Sequence, residues 1–301
     1  MRHSTRSWTL VIAILTGIFG QAQVYIPSED LRLALNAQVP GLVDASGMMD
    51  EEDPDIAQVD SLVILIWQAT STVELFGIEY LAALRSLSIE MVEVPPFFAD
   101  SMIIPVFPAS LETLTITGEV EFIMLGELPE SIEAVFIQLN TGSSQGHVEF
   151  GGFPSFVPVL TLENIPHFSW PDPALIGSLK IRELAYPPTV SIPPVVTEQL
   201  ELDDIVSAHL DLSNITARHI LVYDLLIAGD LIWPLGVERV TYENSMEESL
   251  TGWPAQMDTL IVFYTSESCI PTLPNTLTYM FLPQVINCIP NWPDALIGYE
   301  H

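Results

Sequence analysis

The chain has 301 residues and a formal net charge of −31, from 8 Lys+Arg against 39 Asp+Glu, and 49% of it is hydrophobic. That apolar content excludes an intrinsically disordered acidic chain, and the length allows one or two domains with a large core. The scarcity of Lys and Arg excludes nucleic-acid binding and attraction to an anionic membrane surface, both of which depend on cations.

Residues 1–22 read as an export signal that is removed. Arg2 and Arg6 give a positive start, Trp8 to Phe19 an apolar stretch, and Gly20-Gln21-Ala22 a small-residue cleavage site. The apolar stretch is too short for the roughly 20 residues that cross a bilayer. No later stretch reaches that length, so no membrane insertion is expected once the signal is gone. Cleavage after Ala22 leaves six basic residues against 39 acidic ones, a net −33. The mature chain is expected to be secreted or held at the cell surface. Its self-repulsion should be relieved by salt or divalent cations.

Residues 23–76 are expected to cap the repeats that follow. Ser28 with Glu29 and Asp30 makes a helix start, with the acids facing the helix N-terminus. Leu31, Leu35 and Val39 then recur at helical spacing. Between residues 44 and 60 lies an acidic cluster that includes Asp44, Asp50, Asp53 and Asp60. It reads as a solvated acidic loop. Calcium is the alternative, but the alternating oxygen ligands with a Gly at the sixth position are missing.

From residue 77 to 301 the chain repeats. Phe107-Pro108-Ala109-Ser110-Leu111-Glu112-Thr113-Leu114-Thr115-Ile116 is matched position by position by Leu128-Pro129-Glu130-Ser131-Ile132-Glu133-Ala134-Val135-Phe136-Ile137. The proline spacings from Pro108 onward are 21, 25, 17, 22, 41, 20, 20 and 19, the interval of 41 holding two units. A period near 20 is a solenoid signature and implies about ten to eleven repeats. Each unit carries an apolar-x-x-apolar-x-apolar core, as in Leu111, Leu114 and Ile116. The last two apolar positions alternate with an exposed one, which is the strand period. One strand per unit, stacked, gives a parallel sheet, with the proline on the return segment where its missing N–H costs no ladder bond.

Cys269-Ile270-Pro271-Thr272-Leu273-Pro274-Asn275-Thr276-Leu277-Thr278-Tyr279 resembles a leucine-rich repeat, and Asn287-Cys288-Ile289-Pro290-Asn291-Trp292-Pro293 begins the next copy. The short proline-led units are similar to those of exported bacterial surface proteins. Tyr25 to Leu35 resembles the N-terminal cap of that group, and Leu75-Phe76-Gly77-Ile78-Glu79-Tyr80-Leu81 leads into the first repeat. The resemblance implies an α/β-type repeat solenoid that is mostly β. It would be a curved horseshoe with a parallel β-sheet on its concave face and a small helical cap. It further implies a non-catalytic binding or adhesion module for an extracellular protein or glycan, with no cofactor.

The exposed strand positions locate the candidate site. The middle row runs through Thr115, Phe136, Thr161, Lys180, Glu201, Leu221, Thr241, Ile261 and Phe281. Beside it stand Arg182, Asp203, Tyr223 and Phe263 on one flank and His219, Arg239 and Tyr279 on the other. Lys180, Arg182 and Arg239 are half of the mature chain's cations, and the C-terminal end of the face is aromatic. Arginine grouped with exposed aromatics is the usual anchor of an interface. The alternative is that Lys180 and Arg182 neutralise neighbouring acids while the aromatics cover the sheet end.

Cys269 and Cys288 are one repeat apart, and both a disulfide and an unbonded thiol ladder fit that spacing. No catalytic motif is present: there is no G-x-S-x-G, no H-E-x-x-H and no Gly-rich phosphate loop. Asn214-Ile215-Thr216 matches a glycosylation acceptor. An enzymatic alternative is a parallel β-helix lyase that acts on acidic polysaccharide through calcium. Glu201, Asp203 and Arg182 would be its residues. A purely structural surface protein is the third reading.

Overall fold

The structure is a computed structural model that describes residues 23–67, 72–92, 99–140, 146–185, 190–207, 209–227, 231–243, 252–263, 270–282 and 288–300. The expected export signal, residues 1–22, lies outside the described residues. Strand β1 (Gln23–Tyr25) pairs antiparallel with β2 (Met48–Asp50), and α1 (Glu29–Gln38) lies between them in sequence. Ser28 Oγ accepts the Leu31 N–H at 3.2 Å, which satisfies one of the free donors at the helix start. Leu31 and Leu35 are fully buried, and the helix packs on the first strand of the long sheet.

Three acids of the 44–60 stretch are used by the backbone beside them. Asp44 accepts from Ser46 and Met48, Asp50 from Glu52, and Asp53 from Asp55 at the head of the 3-10 turn Pro54–Gln58. Among the described residues no three acids, histidines or cysteines converge as a metal site would require.

The rest is a parallel β-solenoid. Its coils pair β3 (Ser61–Ile66) with β4 (Thr72–Glu74), β5 (Ser86–Met91) with β6 (Ala99–Ile104), and β7 (Thr113–Gly118) with β8 (Val120–Glu127). Next come β9 (Ala134–Leu139) with β10 (His147–Gly152), and β11 (Val157–Glu163) with β12 (His167–Ser169). Three coils with long strands follow: β13 (Ala174–Ala185) with β14 (Val190–Ser191), β15 (Val195–Ser207) with β16 (Leu210–Asp211), and β17 (Ile215–Ile227) with β18 (Leu231–Ile232). The last coils carry β19 (Arg239–Glu243), β20 (Thr259–Phe263), β21 (Tyr279–Phe281) and β22 (Gly298–Glu300). Among the described residues the long sheet has 12 strands, from β3 to β22. A second sheet of five runs from β4 to β12, and a third of three joins β14, β16 and β18.

Two rows of the long sheet fill the interior. One passes from Leu62 through Leu87, Leu114 and Val135 to Met280, and the other from Ile64 through Ile89, Ile116 and Ile137 to Val262, all at most 3% exposed. Burying each such side chain is worth about 1.5–3 kcal/mol. That gain is realised only when neighbouring coils cover one another.

The proline-led unit has a defined geometry. The carbonyl of each Pro108, Pro129, Pro254, Pro274 and Pro293 accepts the N–H three residues on, which closes a turn into the strand. A hydroxyl two residues after the proline then reaches back one coil. Ser131 Oγ donates to the Ala109 and Leu111 carbonyls, and Thr276 Oγ1 to those of Ala255 and Met257.

Two expectations are corrected. The units do not hold one strand each, because through β12 and again in β14–β18 the return segment is also a strand. Ile123, Leu125, Val148 and Phe150 alternate inward there and build a second buried face. Where that sheet ends, large rings fill the gap. Phe153 meets Trp170 edge-on at 5.3 Å, and Trp233 stacks on Trp253 at 6.1 Å. The long sheet also begins inside residues 23–76, since β3 pairs with β5 along its whole length. Ser61–Ile66 alternates as a strand should but has no proline turn to mark it.

Candidate functional site

The outward face of the long sheet keeps a single register from end to end. Thr115, Phe136, Thr161, Lys180, Glu201 and Leu221 are direct partners on successive strands, followed by Thr241, Ile261 and Phe281. This holds through residues 140–232, where the repeat pattern is weakest. On one flank Glu163, Arg182, Asp203, Tyr223, Glu243 and Phe263 align. On the other, Gln199, His219, Arg239, Thr259 and Tyr279 do.

The sheet brings Lys180, Arg182, Glu201 and Asp203 into one ionic cluster on β13 and β15. Glu201 is only 6% exposed. Lys180 Nζ lies 3.2 Å from its Oε2, and Arg182 Nε donates to its Oε1 at 3.1 Å. Arg182 Nη2 donates to the same oxygen, and its Nε lies 3.8 Å from Asp203 Oδ2. The hydrogen bond to Glu201 raises the Arg182 pKa, so its cation is held firmly. Burial pushes the Asp203 carboxyl up, and Glu201, Asp224 and Asp204 add to that push against Arg182. Glu163 is raised the same way, first by burial and then by Glu183. Both cations here are therefore committed to carboxylates, and the surplus charge on the face is negative.

The C-terminal end has a different character. The rings of Phe263 and Phe281 lie 5.4 Å apart, with Tyr279 two residues before Phe281 on the same strand and face. Tyr223 lies between Asp203 and Glu243 in the ladder, and its hydroxyl is raised by burial, then by Glu201 and Glu243. Arg239 is exposed beside His219. The ten sequence-derived candidates thus share one face but form two groups, ionic on β13–β15 and aromatic on β20–β21, with Tyr223, His219 and Arg239 between.

A bend borders this face. Asn164, Glu183, Asp204 and Asp224 all have positive φ, between 47° and 55°, and each follows an aligned member of the flank row. Left-handed backbone lets the strand turn a corner and continue inward as Leu184, Ile205 and Leu225. Gly118, at φ 120°, occupies the same corner two coils earlier, where a Cβ would lie 2.4 Å from the Met91 carbonyl.

Two exposed apolar features were missed in the sequence. Val63, Leu65 and Trp67 stand outward on or just beyond β3 and are 38–56% exposed, and their alternation was the available signal. Leu175 and Val196 pair outward on successive coils and lead through Thr216 to Leu235, which is 65% exposed. Cys288 is disulfide-bonded. The other candidate cysteine, Cys269, lies outside the described residues.

The fold defines a parallel β-solenoid. Compared with family models, curated proteins and solved structures, the chain matches none of them. Among the described residues no helix is long and apolar enough to cross a membrane.

Proposed function

We propose that the chain is an exported, non-catalytic binding or adhesion module that recognises an extracellular protein or glycan on the outward face of its long sheet. The observation that carries this reading is the unbroken register of that face, which ends in clustered half-buried aromatics beside Arg239. The leucine-rich-repeat assignment and the horseshoe curvature belong to the same proposal. Their support is the proline-led period and the asymmetry of the coils. One wall has 12 strands and the others five and three among the described residues. Returns that are not strands are free of the strand spacing of about 4.8 Å, so curvature toward the long sheet is expected in the coils that lack a return strand. Export rests on residues 1–22.

The test is capture from envelope and medium fractions, with Arg239→Glu, Tyr279→Ala and Phe281→Ala combined in one variant. These positions are chosen because acidic replacements at Lys180 or Arg182 would place a third carboxylate against buried Glu201 and unfold the coil. Capture of a specific species by the natural chain and not by the variant supports the module. Equal capture favours a purely structural surface protein.

The second strand in many coils favours one further reading, the calcium-dependent polysaccharide lyase. Glu201, already held by Lys180 and Arg182, would have to release them to bind a cation. Unsaturated products from polygalacturonate with Ca²⁺ would support the lyase, and their absence would sink it.

A further inference from the structure

We infer that the partner of this face is a cationic protein segment in an extended, polyproline-like conformation, seated along the flank row from Glu163 to Phe263. This rests on the reading of the face as a binding surface. The flank row alternates. Carboxylates stand at Glu163, Asp203 and Glu243, one on every second strand, and Arg182, Tyr223 and Phe263 occupy the strands between and after them. Two strand spacings are about 9.6 Å. A polyproline II segment advances about 9.3 Å per three residues, so every third side chain points the same way. Lys or Arg at every third position would meet one carboxylate after another. The residues between would pack on Tyr223 and Phe263, whose ring faces also attract cations.

Charge complementarity supports the same choice. The chain carries −31 overall; Arg182, which stands in this row, is paired to Glu201 and Asp203, and Lys180 beside it to Glu201, so the row keeps a surplus of acid. An acidic glycan would be repelled. A neutral glycan would stack on the rings but leave the carboxylate period unused. Burial holds Glu163 and Asp203 at raised pKa, so a cation brought onto them gains from stabilising their charged forms.

The probe is fluorescein-labelled (Lys-Pro-Pro)4, read by fluorescence polarisation against the full chain at physiological salt. A peptide of the same composition with paired lysines, (Lys-Lys-Pro-Pro-Pro-Pro)2, tests the period without any variant. The regular peptide should bind about tenfold more tightly than the paired one. The double variants Tyr223→Ser with Phe263→Ser and Asp203→Asn with Glu243→Gln should each weaken it about tenfold. Glu198→Gln with Glu238→Gln removes the same charge outside this row, at the carboxylates paired with Arg218, and should change binding less than about twofold. Circular dichroism and melting establish that each variant folds.

Equal affinity for the two peptides, equal loss from variants inside and outside the row, or no binding would each overturn the proposal. Cellohexaose or chitohexaose binding that is lost in the aromatic variant would make the partner a glycan. This inference would then fall while the face remained a binding surface. If neither peptides nor glycans respond to face variants, and capture from the extracellular fractions is equally unaffected, the binding reading falls with it.

Discussion

Glu201 is the residue on which the middle of the long sheet depends. Its carboxylate is buried, and it holds two cations whose side chains are 30% and 34% exposed. Glu201→Gln removes the paired carboxylate of Lys180 and leaves Arg182 only Asp203, at 3.8 Å, but each cation regains water. The expected cost is about 1–3 kcal/mol, below the 3–5 kcal/mol of a fully buried pair. Thermal melting should show a drop of roughly 2–4 °C per kcal/mol, and an unchanged melting temperature would refute it. Asp203 has the opposite sign. Burial holds its pKa up, so the folded chain binds that proton more tightly than the unfolded chain. Its stabilising protonated form is fully present below the ordinary carboxylate range, and that contribution is lost as pH rises through about 4 and beyond. Asp203→Asn should therefore melt higher than the natural chain at pH 7, and the gap should close on acidification toward pH 4. Calorimetry across that range checks both parts.

Among the elements, the corner of β11, β13, β15 and β17 stores the clearest strain. Left-handed backbone suits Asn and Asp better than Glu, so Glu183 is the costliest of its four occupants. It also pushes up the pKa of Glu163 through like charge. Glu183→Asn should stabilise the fold by about 0.5–1 kcal/mol, measured by chemical denaturation. Destabilisation would mean that the carboxylate makes a contact the corner needs. The strands on either side owe their length to this bend, since β13, β15 and β17 each pass through it and turn a second apolar run inward.

At the scale of the whole molecule the charge dominates. Like charges at −31 repel throughout an elongated stack, and salt screens exposed pairs beyond about 8–10 Å. The melting temperature should rise steadily between about 10 mM and 500 mM NaCl. A fall would mean that ion pairs such as Arg218 with Glu198 and Glu238 outweigh the repulsion. If the chain is exported, the protein recovered outside the cell should begin at Gln23. An intact Met1 in that fraction would overturn the signal assignment.

The sequence by itself determined the coil period, the turn residues and the row of each outward side chain. A strand reverses its facing every residue, and a parallel stack repeats the same facing in every coil. One well-marked unit such as Leu111–Ile116 therefore orients its neighbours. Ser28 and its following acids likewise marked the helix, because capping is local chemistry. Only the tertiary structure decided the second and third sheets, the early start at β3, and the burial of Glu201. Return segments such as Val120–Glu127 lack the proline turn, and their strands form only because an adjacent coil supplies the ladder. In the sequence Lys180 and Arg182 fit a partner-binding site and the neutralisation of neighbouring acids equally well. Stacking placed two cations over one carboxylate and removed it from water, leaving the face with a surplus of acid and a line of aromatics.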